Sequence, residues 1–337
     1  DLPSYAPSVM ANDQLTWETT DQWNVGVDFG FLKNRINGTV EFYLQNTKDL
    51  LLKRQLPVVS GFSSVMSNVG STRNKGIEIT LNTRNIMNRN FTWSTDLTFS
   101  ANKEEIVELY NGKTDDVGNL WFIGQPIDVY YNYKKIGIWQ NTENDLAEMA
   151  KFNEKGANFK PGSIRLEDVD GDYKITEEDK QILGSVRPKF VASMVNNFEF
   201  KGFDLSVFLY ASVGGLLRNN IEFMEKPGRG NTVKVDYWTP TNPTNAFPRP
   251  SVDVEKLDYI STLGYDKADF LRIRNITLGY TLPEMWSKKV LMDKIRIYLS
   301  ANNPAIFTNF TGIDPEGANG RTAPSYSTWM FGINLSM

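Results

Sequence analysis

The sequence contains neither cysteine nor histidine among its 337 residues. Without cysteine the chain has no disulfide bonds and no thiolate chemistry. Without histidine it lacks the commonest general base and the commonest ligand of transition metals. An enzyme built on this sequence would depend on carboxylates, lysine, tyrosine or serine for its chemistry.

Other features of enzymes and of nucleic-acid-binding proteins are also scarce. The net charge of −4 gives no indication of a nucleic-acid partner. Adjacent acids such as Glu177-Glu178 and Asp115-Asp116 are weak evidence for a glycosidase, which holds its two carboxyl groups roughly 5–10 Å apart. No glycine-rich phosphate loop follows a strand and opens a helix. We therefore expect a protein that is not an enzyme.

Long hydrophobic runs are absent as well. No apolar stretch approaches the roughly 18 residues of a membrane-spanning helix. No signal peptide opens the chain, and its first residues, "DLPSYAPSVMANDQLTWETT", are typical of the middle of a larger protein. The sequence also lacks low-complexity segments and repeats of fixed period.

The chain is instead rich in aromatic residues, 12% of the total, and in segments where apolar and polar residues alternate. The last segment, "STWMFGINLSM", keeps one face apolar to the final residue, although chain ends usually fray unless they are tied down. This alternation predicts about nine strands, many of them near the roughly 9–11 residues of a tilted membrane strand. The other eight are "QWNVGVDFGFL", "RINGTVEFYL", "GIEITLNT", "FTWSTDLTFSA", "KFVASMVNNFEF", "FDLSVFLYAS", "FLRIRNITLGYTLP" and "KIRIYLSANN".

The connections between these segments alternate in length. Short turns fall at 33–34, 86–90, 201–202 and 283–293, and long loops at about 52–72, 105–187, 213–268 and 307–325. Alternation alone also describes a soluble β-sandwich with one wet face. Long strands, unequal loops and aromatic residues near strand ends favour an outer-membrane barrel with extracellular long loops and a periplasmic C-terminus. These aromatic residues are Trp23, Phe91, Trp93, Tyr280 and Trp329.

One loop segment, "DVDGDYKITEED" at 168–179, has the spacing of a calcium-binding loop. Its candidate oxygen ligands occupy positions 1, 3, 5, 7, 9 and 12, with position 7 offering a backbone carbonyl. Thr176 is also the expected N-cap of a short helix. Position 6 holds Tyr173 where an EF-hand has glycine, and a solvated acidic turn remains the alternative. The candidate ligands are Asp168, Asp170, Asp172, Lys174, Thr176 and Asp179.

A second loop segment, "WFIGQPIDVYYNYKKIGIWQ", concentrates aromatic side chains. Aromatic faces stack on sugar rings or peptide groups, which makes them candidates for binding substrate. The alternative is that they pack the loop onto its barrel. The candidate residues are Trp121, Tyr130, Tyr131, Tyr133 and Trp139.

Several stretches together make the chain resemble the C-terminal part of a SusC-like (SusC/RagA) TonB-dependent transporter of the Bacteroidetes outer membrane. The likeness covers essentially residues 1–337 in family order, although the chain ends in Met337 where family chains often end in an aromatic residue. The stretches are "LTWETTDQWNVGVDFGFLKNRINGTVEFYLQNTKDLLL", "NVGSTRNKGIEI", "DVDGDYKITEEDKQILG", "YWTPTNPTNAFPRP", "FLRIRNITLGYTLP" and "NNPAIFTNFTGIDPE".

The resemblance implies an all-β fold, a transmembrane antiparallel β-barrel of roughly 22 strands, of which this chain supplies about the last nine. It implies that the plug and the first half of the barrel are absent, and that the 168–179 calcium-binding-like loop lies in an extracellular insertion. It also implies TonB-dependent import of glycan oligomers or oligopeptides with a SusD-like surface lipoprotein as lid. The TonB complex would act through the absent N-terminal part, and lipid would surround the barrel. The alternative is a soluble or surface-attached β-rich glycan-binding module with structural calcium.

Overall fold

The computed structural model describes residues 9–219, 235–251, 257–316 and 325–337. Within them lie two α-helices, α1 (Glu143–Glu154) and α2 (Glu284–Ser287), and four 3-10 turns, Val58–Ser60, Glu177–Asp179, Ile260–Thr262 and Lys288–Val290. None of these helices has the length and apolarity to cross a membrane. The strands are β1 (Val9–Met10), β2 (Thr19–Phe31), β3 (Ile36–Lys48), β4 (Leu51–Gln55), β5 (Ser64–Asn68), β6 (Ser71–Met87), β7 (Phe91–Glu108), β8 (Val129–Tyr133), β9 (Lys135–Ile138), β10 (Ile164–Leu166), β11 (Lys180–Ser185), β12 (Phe190–Phe200), β13 (Phe203–Val213), β14 (Leu216–Arg218), β15 (Tyr265–Lys267), β16 (Phe270–Thr281), β17 (Lys294–Thr308) and β18 (Thr328–Ser336).

Nine of these strands form the main sheet, in the order β2-β3-β6-β7-β12-β13-β16-β17-β18. Every neighbouring pair is antiparallel and each strand pairs with the next one of the set along the chain. The nine predicted strands are therefore confirmed. β6 and β7 reach 17 and 18 residues, longer than the alternation indicated.

The register of the main sheet separates an apolar face from a polar one. Val40 lies opposite Val27 and Ile79, whereas its neighbour Thr39 lies opposite Asp28 and Thr80. Thr39 donates its hydroxyl hydrogen bond to Asp28 at 2.6 Å. Because side chains alternate along a strand, a one-residue slip would exchange the two faces, so the pattern specifies the register.

The two ends of the main sheet differ, and we call them the turn end and the loop end. At the turn end the connections are 32–35, 88–90, 201–202 and 282–293, close to the predicted turns. At the loop end the connections are 49–70, 109–189, 214–269 and 309–327, of which 220–234, 252–256 and 317–324 lie outside the described residues. Within 49–70, β5 pairs with both β4 and β1 in a small sheet.

The two longest loops pack together into one folded unit, which we call the loop body (109–189 with the described parts of 214–269). Its largest cluster buries side chains from both loops: Ile138, Ile164 and Leu166 from the first, and Trp238, Ile260 and Leu263 from the second. The pairs β8–β11, β9–β10 and β14–β15 provide its backbone hydrogen bonds. Burial of these apolar side chains holds the two loops against each other.

The helix α1 belongs to the loop body and was not predicted. Its N-cap Thr142 accepts a hydrogen bond from the backbone N–H of Asp145, and Met149 and Phe152 are its buried residues. The sequence carried the signal, since Thr142 is followed three residues later by an acid and then by a run with apolar residues at helical spacing. The expected short helix after Thr176 is a 3-10 turn of three residues, and the next residues form β11.

Candidate functional site

The acidic loop 168–179 brings three carboxylates together at the surface of the loop body. One oxygen from each of Asp168, Asp170 and Asp172 lies within 4.8 Å of the others. Backbone N–H groups of the same loop also point at these side chains. Asp168 accepts hydrogen bonds from Gly171 and Tyr173, both at 2.9 Å. The turn is thus organised around its acidic side chains.

Asp179, the last predicted ligand, is fully buried and lies outside this group of three. Its carboxylate accepts hydrogen bonds from the backbone N–H groups of Val169 at 2.8 Å and Thr176 at 2.7 Å. The hydroxyl of Thr176 accepts from the backbone N–H of Glu178. Asp179 therefore links the two ends of the loop, and Thr176 caps the 3-10 turn as predicted.

The tyrosine at position 6 of the loop adopts the backbone conformation that an EF-hand gives to glycine. Tyr173 has φ 61° and Gly171 has φ 77°, both in the left-handed region. The Tyr173 ring packs against Phe152 of α1 at 5.5 Å, and Lys151 donates to its hydroxyl at 3.3 Å. These contacts offset the strain of a left-handed non-glycine residue and attach the loop to the helix.

The chemistry of this arrangement is that of a hard cation site. Three carboxylates at this separation repel one another, and oxygen donors are the ligands that calcium prefers. The residues positioned to hold the ion are Asp168, Asp170 and Asp172. The other predicted donors are the Lys174 carbonyl, Thr176 and Asp179, and both carboxylate oxygens of Asp179 already accept backbone hydrogen bonds. Calcium binding stays a prediction.

Trp139 lies inside the loop body, with 1% of its surface exposed. Its ring contacts Phe152 at 5.9 Å and Phe159 at 6.0 Å, and the Arg165 guanidinium lies over it at 4.4 Å. In this arrangement Trp139 offers no face to a substrate and supports the fold of the loop body.

The other four candidate aromatic residues are half-buried and also contact neighbouring residues. Tyr130 packs edge-on against Tyr265 at 5.2 Å, and Tyr131 packs against Phe122 at 4.8 Å. The backbone of Trp121 pairs with that of Asp116. Substrate contact by these residues stays a prediction.

Tyr133, the remaining member, joins the aromatic strand β8 to the acidic loop. Its hydroxyl donates to Glu177 at 3.3 Å. Burial, reinforced by the negative charge of Glu177, raises the pKa of Tyr133 to about 12. Tyr133 therefore stays protonated at physiological pH and acts as a hydrogen-bond donor.

An ion-pair network on the polar face of the main sheet was missed from the sequence. Arg272 of β16 is buried and contacts Asp314 at 2.7 Å and Glu316 at 3.3 Å, both in the loop after β17. Burial alone would raise the pKa of Asp314, but hydrogen bonds from Ser325, the Glu316 backbone and Arg272 lower it below its usual value. The acids and arginines are visible in "FLRIRN" and "IDPE", but a separation of 42 residues gives no indication that they pair.

A second ion pair lies nearer the turn end of the same face. Arg296 donates to Asp204 across the intervening strand β16, with Nε 2.9 Å from Oδ1. A Cβ on Gly279, the residue between them, would lie 2.6 Å from the Asp204 carboxylate. The glycine therefore leaves the space that this pair occupies. Charged and hydroxyl groups give the polar face a surface suited to water and polar solutes.

The main sheet is antiparallel, pairs consecutive strands, and has one apolar and one polar face. Short turns lie at one end and folded loops at the other, which is the architecture of the wall of an outer-membrane β-barrel. The chain belongs to the family "TonB dependent receptor-like, beta-barrel", whose profile matches residues 2–304. The predicted fold class, the SusC-like resemblance and the outer-membrane location are confirmed.

Two curated relatives illustrate the similarity. TonB-dependent receptor P3 of Formosa agariphila is 32% identical and aligns with 96% of this chain and 35% of its own. TonB-dependent receptor SusC of Bacteroides thetaiotaomicron is 30% identical over 96% of this chain and 32% of its own. The chain thus spans about a third of the length of these relatives, which are named as receptors and not as enzymes.

Solved structures agree with this assignment. The RagAB peptide importer in its open-open state aligns with 98% of this chain and 36% of its own, with a TM-score of 0.76 and 26% identity. A second structure, of the RagAB peptide transporter, gives a TM-score of 0.75 and 25% identity. The likeness extends over both the main sheet and the loop body.

Proposed function

We propose that this chain is part of the barrel of an active importer that brings glycan oligomers or oligopeptides across the outer membrane. Transport is driven by the TonB complex, and a SusD-like surface lipoprotein covers the barrel. The observation that carries the proposal is the likeness to a peptide importer over 98% of the chain, loop body included. Because the chain spans about a third of such proteins, the activity is that of the whole receptor.

The geometry supports this proposal at three levels. The apolar face, with residues such as Val27 and Phe331 well exposed, is suited to lipid. The polar face, with Asp204, Arg296 and the Arg272 network, is suited to a hydrated lumen. The loop body has its own buried core at the loop end of the sheet, and long structured loops are usually functional.

The loop body is the part of the chain on which we place the lipoprotein partner. Large apolar side chains are exposed on the loop body, among them Ile136 of β9, Leu146 of α1 and Val169 of the acidic loop. The cores of protein interfaces are apolar and depleted of charge. Co-purification of a lipoprotein with the tagged full-length receptor tests this assignment. We expect Leu146→Asp with Val169→Asp to weaken capture, whereas Glu154→Gln, an exposed neighbour on the same helix, leaves it unchanged.

Growth of cells that carry the whole receptor identifies the substrate class. Cells that express it as their importer are supplied with oligopeptides or with glycan oligomers as the sole nutrient. If deletion of the receptor abolishes growth on one class of oligomer, that class is the substrate. Growth unaffected by deletion on every oligomer tested would contradict the proposed import.

We also propose that the acidic loop binds one structural calcium ion. The close approach of Asp168, Asp170 and Asp172 supports it. The ion would join the segment before β11 to the helix α1, because Tyr173 and Ile175 of the same loop pack into the cores of the loop body. Its role would be to keep the mouth of the barrel ordered.

A further inference from the structure

Each connection at the turn end carries an exposed cation that has no carboxylate partner among the described residues. The four cations are Lys33, Arg89, Lys201 and Lys289, one in each of 32–35, 88–90, 201–202 and 282–293. Across these connections there are six lysines and arginines but two carboxylates, Glu284 and Asp293. Glu284 is paired with Lys288, four residues along the same turn. The turn end therefore carries a row of positive charge.

The loop end has the opposite balance. The connection 109–189 holds 14 acids and 11 bases. The positive charge of the turn end is therefore a local property and does not reflect the composition of the chain, whose net charge is −4.

Two of these cations occupy backbone positions where glycine would have less conformational strain. Lys33 has φ 58° and Lys201 has φ 48°, in the left-handed region that lysine rarely adopts. A tight turn at these points needs only the conformation, which glycine provides without strain. The sequence thus places positive charge at these turns against local backbone preference.

Exposed apolar side chains accompany the cations at every turn. Leu32 is next to Lys33, Met87 precedes Arg89 by two residues and Phe200 is next to Lys201, with Lys201 Nζ 5.2 Å from the centre of the Phe200 ring. The last connection exposes Met285, Trp286, Val290 and Leu291 around Lys289. Charged and apolar groups are interleaved in this way at a membrane–water interface.

These turns lie directly beyond a row of aromatic residues on the apolar face. Trp93 stacks on Phe198 at 5.6 Å, Phe198 on Phe91 at 6.5 Å, and Phe203 packs against Tyr280 at 4.5 Å. Aromatic girdles mark the level of the interface in outer-membrane barrels. Arg89 and Lys201 each lie two residues along the chain from a member of this girdle, Phe91 and Phe203 respectively.

We propose that the turn end binds the phosphates of anionic phospholipids in the inner leaflet of the outer membrane. Lys33, Arg89, Lys201 and Lys289 contact the headgroups, and Leu32, Phe200 and Trp286 insert beside them. Charge complementarity and continuity with the lipid-facing wall identify the occupant, because the same apolar face that meets the acyl chains ends in this row of cations. Lipid binding here fixes the depth of the barrel in the membrane.

The test compares two lipids at the full-length receptor. The receptor is reconstituted with equal amounts of phosphatidylglycerol and phosphatidylcholine, gently extracted, and its retained lipids are counted by native mass spectrometry. We expect enrichment of phosphatidylglycerol, since one basic residue near an anionic surface contributes about fivefold in affinity. The quadruple variant Lys33→Gln, Arg89→Gln, Lys201→Gln and Lys289→Gln should lose the enrichment.

A matched control removes the same number of exposed cations from the loop end, with Lys53→Gln, Lys113→Gln, Lys155→Gln and Lys160→Gln, and should retain the enrichment. Heat-modifiable gel migration establishes that each variant is assembled. If the quadruple variant does not assemble, replacing Lys33, Lys201 and Lys289 by arginine must keep the enrichment, and neutralising Lys289 alone must reduce it. Equal lipid ratios in the wild type, or enrichment that survives loss of the turn-end cations, would overturn the proposal.

Discussion

Arg272 and Asp314 form a buried ion pair, with 2.7 Å between Nη2 and Oδ1, that ties the loop after β17 to the polar face of β16. Both side chains are less than one-tenth exposed. Glu316 pairs with the same arginine, and Ser325 donates a hydrogen bond to Asp314, so that the first and last described parts of this loop meet at Asp314.

Replacing Arg272 by alanine leaves the buried carboxylate of Asp314 without its cation. Loss of one partner of a buried pair costs about 3–5 kcal/mol. Arg274→Ala, at the more exposed neighbour that also pairs with Glu316, should cost about 1 kcal/mol or less. Limited proteolysis of the loop in the assembled receptor measures the effect, and equal cleavage in the two variants would refute the special role of Arg272.

The same pair makes the anchoring of this loop sensitive to acid. The pKa of Asp314 is lower in the folded protein than in the unfolded chain. Its contribution to stability is therefore complete above the unfolded value of about 4 and is lost as the pH falls through the folded pKa. Proteolysis of the loop should accelerate below about pH 4. Asp314→Asn should abolish this pH dependence, and its persistence in that variant would assign it to another group.

The two faces of the main sheet should tolerate charge very differently. Val27 lies on the apolar face and Asp28 on the polar face, beside Thr39. An arginine facing lipid near the midplane costs about 2–4 kcal/mol. Val27→Arg should therefore reduce the heat-modifiable, assembled fraction of the receptor, whereas Asp28→Arg should leave most of it assembled. The assignment of faces fails if both variants assemble equally well.

Calcium should bind to the acidic loop with the aspartates as its main ligands. Terbium substitutes for calcium and is excited by nearby aromatic residues such as Tyr173, so its luminescence reports on binding. Asp170→Asn with Asp172→Asn should weaken binding more than about tenfold, because even the loss of a residue that only orients a metal ligand costs about 10–100-fold in affinity. Glu154→Gln, an exposed acid on α1, is the matched control. The absence of a saturable signal, or equal affinity in both variants, would contradict the calcium site.

The strands could be predicted because each of their residues faces either lipid or the lumen, so burial alternates along the chain. In the sheet this regularity predicted the number of strands and the face on which each residue lies. The structure adds the register, with pairs such as Val40 and Ile79. In the loop body no such regularity exists. Its strands are three to six residues long, and partners such as Leu217 and Asp266 come from distant parts of the sequence.

The candidate site shows the same limit at single residues. The spacing of Asp168, Asp170 and Asp172 predicted their convergence, because loop positions two apart face the same point. The roles of Asp179 and Trp139 were not accessible, since burial of a carboxylate under two backbone N–H groups, or of an indole under Arg165, depends on tertiary packing. The spacing of the three aspartates is visible in the local sequence, whereas the burial of Asp179 and Trp139 is visible only in the folded loop body.

The proposed importer takes its energy from TonB, and uptake by intact cells measures that dependence. Cells with the full-length receptor as their sole importer are given fluorescently labelled oligopeptides and glycan oligomers, and intracellular label is measured with the TonB system present and deleted. We expect one class of oligomer to accumulate, and we expect this accumulation to require both the receptor and TonB. Accumulation that is unchanged without TonB, or no receptor-dependent accumulation of either class, would contradict it.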